Sequence, residues 1–139
     1  MIIKYICPNE IKYETSNASG VDLRSIEDGT VPAKGTGFFN TGLKVSIPVG
    51  YEGQVRGRSG LAKNKGIGIT HGIGTIDADY RGEIGIMLCN WSDVDFVVNK
   101  GDRIAQLVIM PVVKAEFVLE ETLDITSRNA DGFGSTGIK

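Results

Sequence analysis

The stretch Glu83–Asn90, EIGIMLCN, alternates large apolar residues with other types, so that Ile84, Ile86 and Leu88 share one face. This period of two predicts a β-strand with one buried face. The same pattern recurs in four other segments. They are GFFNTGLKVSI (37–47), YEGQVRG (51–57), RIAQLVIM (103–110) and AEFVLEE (115–121). Most of the chain is therefore predicted to form strands.

Only SGLAKNKG, residues 59–66, favours a helix, of about two turns with Ser59 as its N-cap. Prolines and 19 glycines punctuate the remaining segments and suit many tight corners. We therefore expect an all-β, single-domain, jelly-roll-like barrel or sandwich with one short helix. Residues 1–127 would form the barrel, and residues 128–139 a flexible C-terminal tail that belongs to the same domain.

The composition excludes several classes of function. A net charge of −2 argues against a nucleic-acid partner, because phosphate-backbone binding leaves a basic footprint. No apolar run is long enough for a signal peptide or a membrane span, so we expect a cytoplasmic protein without a membrane partner. Two cysteines and one histidine are too few for a disulfide scaffold or a His/Cys metal site.

The segment RGRSGLA, residues 56–62, ends a predicted strand where the short helix begins. Backbone amides at that point, the Ser59 hydroxyl and an arginine would together suit a phosphate. The alternative is an ordinary helix cap with solvated arginines. In GDRIAQL (101–107), Gln106 interrupts an apolar strand, and a buried amide needs partners that a ligand or a subunit contact would supply.

Two other segments carry carboxylates. In GTIDADYRG (74–82), Asp77 lies in a predicted hairpin turn, where it could instead activate water while Tyr80 offers a flat face to a sugar or base. Asp22 lies between two apolar residues of a strand. It either faces solvent or acts on a hydrated Mg²⁺. His71, the single histidine, is expected to be structural or solvated.

The stretch RNADGFGSTG, residues 128–137, is too rich in glycine and small residues to fold by itself. Its GFGSTG matches the dinucleotide fingerprint, but that motif requires a helix at its last glycine, and only two residues follow here. A dinucleotide site is therefore not expected. The aromatic Phe133 and the cation Arg128 instead suggest a segment that orders over a ligand.

Five segments in this order, SGVDLRS, RSGLA, GTIDADYRG, GDRIAQL and RNADGFGSTG, resemble the five motifs of the trimeric dUTPase family. The resemblance extends from about residue 18 to residue 137. It implies a jelly-roll-like fold, a homotrimer with active sites shared between subunits, and Mg²⁺. It also implies hydrolysis of dUTP to dUMP and pyrophosphate, which keeps uracil out of DNA and supplies dUMP for thymidylate synthesis.

The resemblance implies a role for each matching residue. Asp77 would be the general base for in-line attack of water on the α-phosphorus, and Tyr80 would pack under the deoxyribose. Asp22 would act on Mg²⁺ through water. The residues implied to read uracil are His71, Gly74, Thr75 and Ile76, and those implied to hold the α- and β-phosphates are Arg58, Ser59, Gly60 and Gln106. The tail would close as a lid: Phe133 would stack on uracil, and Arg128, Gly134, Ser135 and Thr136 would reach the γ-phosphate.

The chain departs from the family pattern in three places. Gly57 replaces a usual proline, His71 replaces a frequent asparagine, and Asn129 and Asp131 stand where glycines are common. Two rival functions make different demands on the sequence. A dCTP deaminase would need a catalytic glutamate where this chain has Met87, so deamination is not expected. A nucleotide-controlled binding module would need neither the candidate base nor the tail.

Overall fold

The computed structural model describes residues 1–132. Within that range the chain forms strands β1 to β11 and helix α1, which lies between β6 and β7. The strands are β1 Lys4–Ile6, β2 Val21–Arg24, β3 Gly29–Val31, β4 Thr36–Asn40, β5 Lys44–Ser46, β6 Tyr51–Arg56, β7 Ile67–Ile69, β8 Ile73–Ile76, β9 Gly85–Asn90, β10 Phe96–Val98 and β11 Arg103–Pro111, and the helix is α1 Ser59–Lys65.

All the strand pairs are antiparallel, and they form two main sheets. One sheet has the order β2-β11-β6-β8 and the other the order β4-β9-β7, while β1-β5 and β10-β3 form two-stranded ribbons. Buried side chains from both main sheets, such as Leu23, Val55 and Leu88, belong to one hydrophobic cluster. The all-β fold with one short helix is therefore confirmed.

Strand β9 shows why the alternating pattern succeeds. Ile84, just before it, and Ile86 and Leu88 within it are all at most 1% exposed. Full burial of one such side chain contributes about 1.5–3 kcal/mol. Met87, between two of them, points the other way and is exposed. A period of two with one apolar face therefore fixes which side of β9 meets the core.

The predicted strand AEFVLEE is wrong for this chain. Residues 112–127 form neither helix nor strand, and Phe117 and Leu119 are 95% and 98% exposed. Strand β11 ends at Pro111, which has no N–H to continue the ladder, and the chain then leaves the sheet. We refer to residues 112–127 as the arm.

Two other boundaries differ from prediction. GFFNTGLKVSI is two strands, because Gly42 adopts the left-handed conformation at φ 69° and the chain passes from one sheet to a ribbon there. Ser59 is the first residue of α1 and not its cap. The N-cap is Arg58, whose side chain makes no capping hydrogen bond within residues 1–132.

No helix in residues 1–132 is long and apolar enough to cross a membrane.

Candidate functional site

Asp22 lies at the centre of a cluster of charged side chains. Its neighbours Val21 and Leu23 are buried, which turns Asp22 to the outer face of β2. Its Oδ1 is 3.2 Å from Arg58 Nε, and its Oδ2 is 3.1 Å from Arg103 Nη1. Because the Asp22 side chain is only 16% exposed, both ion pairs are partly shielded from water.

Gln106 lies directly opposite Asp22 on β2 and Arg56 on β6, in the middle of the four-stranded sheet. Its Nε2 donates a hydrogen bond of 3.0 Å to the carbonyl of Gly57. The partner that this amide requires therefore comes from the chain itself. On its other side the amide fits closely against Gly20, where an added Cβ would lie 3.0 Å from Gln106 Oε1.

Arg58 connects this sheet to the start of α1. Its Nη1 donates to the Arg103 carbonyl at 3.0 Å, and Ser59 and Gly60 follow as the first, exposed residues of the helix. We call the six residues Asp22, Arg58, Ser59, Gly60, Arg103 and Gln106 the arginine cluster. Two guanidinium groups around one carboxylate leave it with a net positive charge, which suits a multiply charged anion.

Asp77 and Tyr80 lie on a tight turn after β8. The Tyr80 amide donates to the Asp77 carbonyl at 3.1 Å, and Arg81 Nη1 donates to the Ala78 and Tyr80 carbonyls at 2.6 and 2.8 Å. The turn is therefore braced from within. It is not a hairpin turn as predicted, because β8 pairs with β6 whereas β9 pairs with β4 and β7.

The turn borders a cleft of about 330 Å³, which we call the Asp77 cleft. The residues that line it are Phe38, Thr75, Ile76, Asp77, Tyr80, Glu83, Ile84 and Gly85. Tyr80 is held there by its hydroxyl, which donates to the Glu83 carbonyl at 3.0 Å. An exposed carboxylate beside an aromatic face and small or apolar neighbours is suited to a sugar with a reactive group at one end.

The structure adds Phe38 and Glu83, which sequence reasoning missed. Phe38 belongs to an alternating strand, and such a pattern gives no sign that its exposed face meets a site formed by residues 75–85. Glu83 Oε1 accepts a hydrogen bond of 2.7 Å from the Gly42 amide, a contact over 41 positions. A contact of that separation has no local signature in the sequence.

His71 and Gly74 lie close together at the other end of β8. Gly74 is buried, and an added Cβ would lie 3.1 Å from His71 Nε2. The imidazole is otherwise exposed. Thr75 is exposed and Ile76 is half-buried, so β8 presents only part of its length to the surface.

The arginine cluster and the Asp77 cleft lie at opposite ends of the β6–β8 pair. Arg56 pairs with Ile73 and Gly53 with Ile76, so Asp77 follows β8 at one end while Arg58 follows β6 at the other. Asp77 lies four residue steps from Ile73, about 13 Å at 3.3 Å per residue. Within one chain the candidate site residues therefore form two separate groups.

Arg128 lies in a third place, on a turn near the end of the described chain. Its Nε donates to the Asp131 carbonyl at 2.8 Å, and Asn129 adopts a left-handed φ of 43°. The predicted contacts of Phe133, Gly134, Ser135 and Thr136 lie outside the described residues. In residues 1–132, no three His, Cys, Asp or Glu side chains are grouped closely enough to hold a metal.

Comparisons with known proteins show what the chain is similar to. The dUTPase family model matches residues 9–137. The chain is 49% identical to the deoxyuridine 5'-triphosphate nucleotidohydrolase of Helicobacter pylori strain P12, over 98% of this chain and 95% of that protein. It is 54% identical to the enzyme of the same name from Syntrophotalea carbinolica, over 90% of this chain and 86% of that protein. The structure superimposes with a TM-score of 0.90 on the dUTPase of Staphylococcus bacteriophage 80alpha determined with dUPNHPP, at 25% identity and over 99% of each chain.

Proposed function

The chain belongs to the dUTPase family and hydrolyses dUTP, and from that premise we propose how its residues divide the reaction. The observation that carries the proposal is the Asp77 cleft, in which a carboxylate and an aromatic ring lie side by side. The cleft would hold the nucleoside, and the arginine cluster would hold the phosphates.

Asp77 acts as the general base. As the oxygen of a water molecule forms a bond to the α-phosphorus, Asp77 accepts the proton from that water. The bond from the α-phosphorus to the oxygen that bridges to the β-phosphate breaks, and the products are dUMP and pyrophosphate. The braces from Arg81 and Tyr80 support this role, because they restrict the turn that carries Asp77.

Tyr80 packs against the deoxyribose, and the segment from His71 to Ile76 reads the uracil edge. Gly74 has no room for a side chain, since His71 and Val55 both lie 3.1 Å from an added Cβ, so at this position β8 can offer a ligand only backbone groups. Backbone groups of β8 would then recognise uracil directly, while His71 lies at the edge of this segment.

The arginine cluster binds the α- and β-phosphates. Arg58, Gln106 and the Ser59 hydroxyl supply donors, and Gly60 lets a phosphate approach the backbone, since an added Cβ there would meet no atom of the described chain within 4 Å. Arg103 supports the cluster through its ion pair with Asp22. These groups stabilise charge in the transition state and form no covalent intermediate.

Mg²⁺ is proposed as the cofactor. One carboxylate, Asp22, lies in the arginine cluster, and this fits a magnesium ion that takes most of its ligands from water and substrate phosphates. A single carboxylate is too few for a magnesium site whose ligands all come from the protein. When bound, the ion would neutralise phosphate charge, and Asp22 would act on it through water.

A homotrimer with shared active sites is proposed because one chain separates its site residues. Arg58 and Asp77 of one chain lie beyond opposite ends of the β6–β8 pair, about 13 Å apart along β8, so they are poorly placed to contact the same α-phosphate. If the Asp77 cleft of one subunit meets the arginine cluster of the next, both groups reach one nucleotide. Three such interfaces close a cyclic trimer.

The arm supports the same assembly. Its exposed apolar side chains are Val113, Phe117, Val118, Leu119, Leu123 and Ile125. Leaving so much apolar surface in water is unfavourable, whereas contact with another subunit would bury it. The arm also carries Glu116 and Glu120, and the β1-β5 ribbon presents Lys4 and Lys44 beside exposed Tyr5. The β1-β5 ribbon of a neighbouring subunit would therefore be complementary to the arm, with lysines opposite glutamates and an aromatic ring beside apolar side chains.

The tail, residues 128–139, is proposed to close over the bound nucleotide. In this proposal Phe133 stacks on uracil, and Arg128 reaches the γ-phosphate with Gly134, Ser135 and Thr136. Closure would exclude water and strengthen each phosphate contact. Asp131 would oppose closure by its negative charge. The division into a barrel of residues 1–127 and a lid stays a prediction.

The test of the reaction compares Asp77→Asn with Asp79→Asn. Both carboxylates belong to the same exposed turn, but only Asp77 lines the cleft. We expect Asp77→Asn to abolish pyrophosphate release from dUTP while it still binds the nucleotide, and Asp79→Asn to retain activity. Comparable activity in the two variants would assign the base elsewhere. Absence of pyrophosphate release by the wild-type protein with Mg²⁺ would refute the function itself.

The test of shared sites mixes two inactive variants. Asp77→Asn and Arg58→Ala subunits are unfolded together and refolded as a mixture. Where sites form between subunits, one site in about four combines two intact halves, so about a quarter of the activity should return. No recovery in trimers shown to be mixed would indicate that each chain forms its own site.

A further inference from the structure

Phe38 lies in the Asp77 cleft on a strand that none of the five motifs includes. It is on β4, directly opposite Met87 of β9, and its side chain is 59% exposed. Its ring rests over Gly85, where an added Cβ would overlap ring atoms Cζ and Cε2. A largely exposed ring is thus seated on a glycine that leaves room for it.

Tyr80 is seated in the same way. An added Cβ at Gly82 would overlap its hydroxyl oxygen and Cζ, and the hydroxyl is bonded to the Glu83 carbonyl. The Asp77 cleft therefore contains two aromatic rings, each placed over a glycine of the segment from 82 to 85. Their partly exposed faces are available to a ligand in the cleft.

We propose that Phe38 is a substrate-positioning residue that forms a second aromatic wall for the nucleoside part of dUTP. The proposal rests on the proposed function, because it takes the cleft to hold the nucleoside. An aromatic face offers a large apolar contact at a small cost in conformational entropy, and it suits the C–H face of a sugar or a flat base. Phe38 touches no phosphate in this arrangement, so its contact is the same in the bound substrate and in the transition state.

A uniform contact of this kind predicts a specific kinetic result. Removing it raises KM and leaves kcat nearly unchanged. It also weakens binding of dUMP, which retains the nucleoside, and leaves binding of inorganic tripolyphosphate unchanged. A purely structural defect in the turn around Asp77 would instead lower kcat.

Met87 provides the matched control. It lies opposite Phe38 on the same outer face and is 44% exposed, but it does not line the cleft. If the exposed apolar surface served only to join subunits, Met87→Ala and Phe38→Ala would have the same effect.

The experiment measures dUTP hydrolysis and, by calorimetry, binding of dUMP and tripolyphosphate. For Phe38→Ala we expect KM and the dUMP Kd to rise about tenfold, equal to about 1.4 kcal/mol, with kcat within about threefold of wild type. Met87→Ala should stay within about twofold of wild type in every parameter. An unchanged dUMP Kd in Phe38→Ala, or an equal loss in Met87→Ala, would overturn the proposal.

Gly85→Ala supplies an independent test, because the new methyl group displaces the ring without removing it. It should raise KM in the wild-type background and add little in the Phe38→Ala background. Full additivity would contradict the proposal. If Phe38→Ala does not fold, Phe38→Leu replaces it with an expected increase of about threefold. If the wild-type enzyme hydrolyses dUTP but none of these variants changes KM, the role of Phe38 is refuted and the proposed function is not.

Discussion

At the residue scale, one side chain can have different partners in the free chain and in the substrate complex. The structure shows the partners in the free chain. The sequence predicts that Asp22 either faces solvent or acts on hydrated Mg²⁺, and in the free chain it contacts Arg58 and Arg103. These ion pairs orient the two guanidinium groups. They also lower the positive charge that a phosphate would meet.

This arrangement predicts opposite effects of Asp22→Asn with and without metal. Without Mg²⁺, tripolyphosphate should bind several-fold more tightly, because the anion no longer meets a carboxylate that is paired with both arginines. With Mg²⁺, dUTP should bind more weakly, because the carboxylate that acts on the hydrated ion is lost. Calorimetry with Asp93→Asn as control distinguishes the two, since Asp93 pairs with Lys34 outside the cluster. Weaker tripolyphosphate binding without metal would contradict the prediction.

A second residue-scale prediction concerns Gly42. Its φ of 69° is unfavourable for other residues, and an added Cβ would lie 2.5 Å from Pro8 Cδ. At Gly50, with φ 89°, a side chain would also be strained, but an added Cβ would meet no atom of the described chain within 4 Å. We expect Gly42→Ala to lower the free energy of unfolding by about 2–4 kcal/mol and Gly50→Ala by about 1 kcal/mol. If urea titrations gave equal losses of unfolding free energy for the two variants, the structure would be shown to accommodate the new methyl group beside Pro8 without cost.

At the element scale, the sequence predicts helix α1 correctly but predicts the wrong residue as its N-cap. The segment 59–66 was predicted as helical and the helix is Ser59–Lys65, but Ser59 is inside it and makes no capping bond among the described residues. Ser59→Ala should therefore change the free energy of unfolding by less than about 0.5 kcal/mol, below the usual cost of losing a cap. Thermal unfolding checks this, and a loss above about 1 kcal/mol would indicate that Ser59 does cap the helix.

Strands were predictable where one face is apolar, and their partners were not. The alternation in residues 83–90 identifies β9 and its buried face, because burial of Ile86 and Leu88 requires that period. The same alternation in AEFVLEE predicts a strand that the structure does not have. The pattern indicates an apolar face but does not show which part of the molecule would cover that face. Sequence motifs single out Asp77, Arg58 and Gln106 as candidate site residues. Phe38 reaches the cleft only through β4–β9 pairing, which no local pattern encodes.

At the scale of the whole molecule, the arm carries apolar side chains that nothing in the described chain covers. Replacing Phe117 and Leu119, which are almost fully exposed here, would remove apolar surface without disturbing the barrel. We expect Phe117→Ser with Leu119→Ser to shift a trimer toward monomers in light scattering and to lower activity in parallel. Val49→Ser, at a residue 94% exposed and outside the arm, is the control. A trimer unaffected by the double change would exclude the arm from the interface.

We expect the tail to affect activity without affecting stability. Among the described residues, the hydrogen bonds of residues 128–131 are local turn bonds, so deleting residues 128–139 should leave the unfolding temperature nearly unchanged. If the tail closes over the triphosphate, the same deletion should lower turnover by about two orders of magnitude, equal to about 2.7 kcal/mol in the activation free energy. A chain shortened only by Ile138 and Lys139 is the matched control, because it keeps every residue predicted to contact the nucleotide. Hydrolysis of dUTP at the full-length rate by the longer deletion would refute the lid.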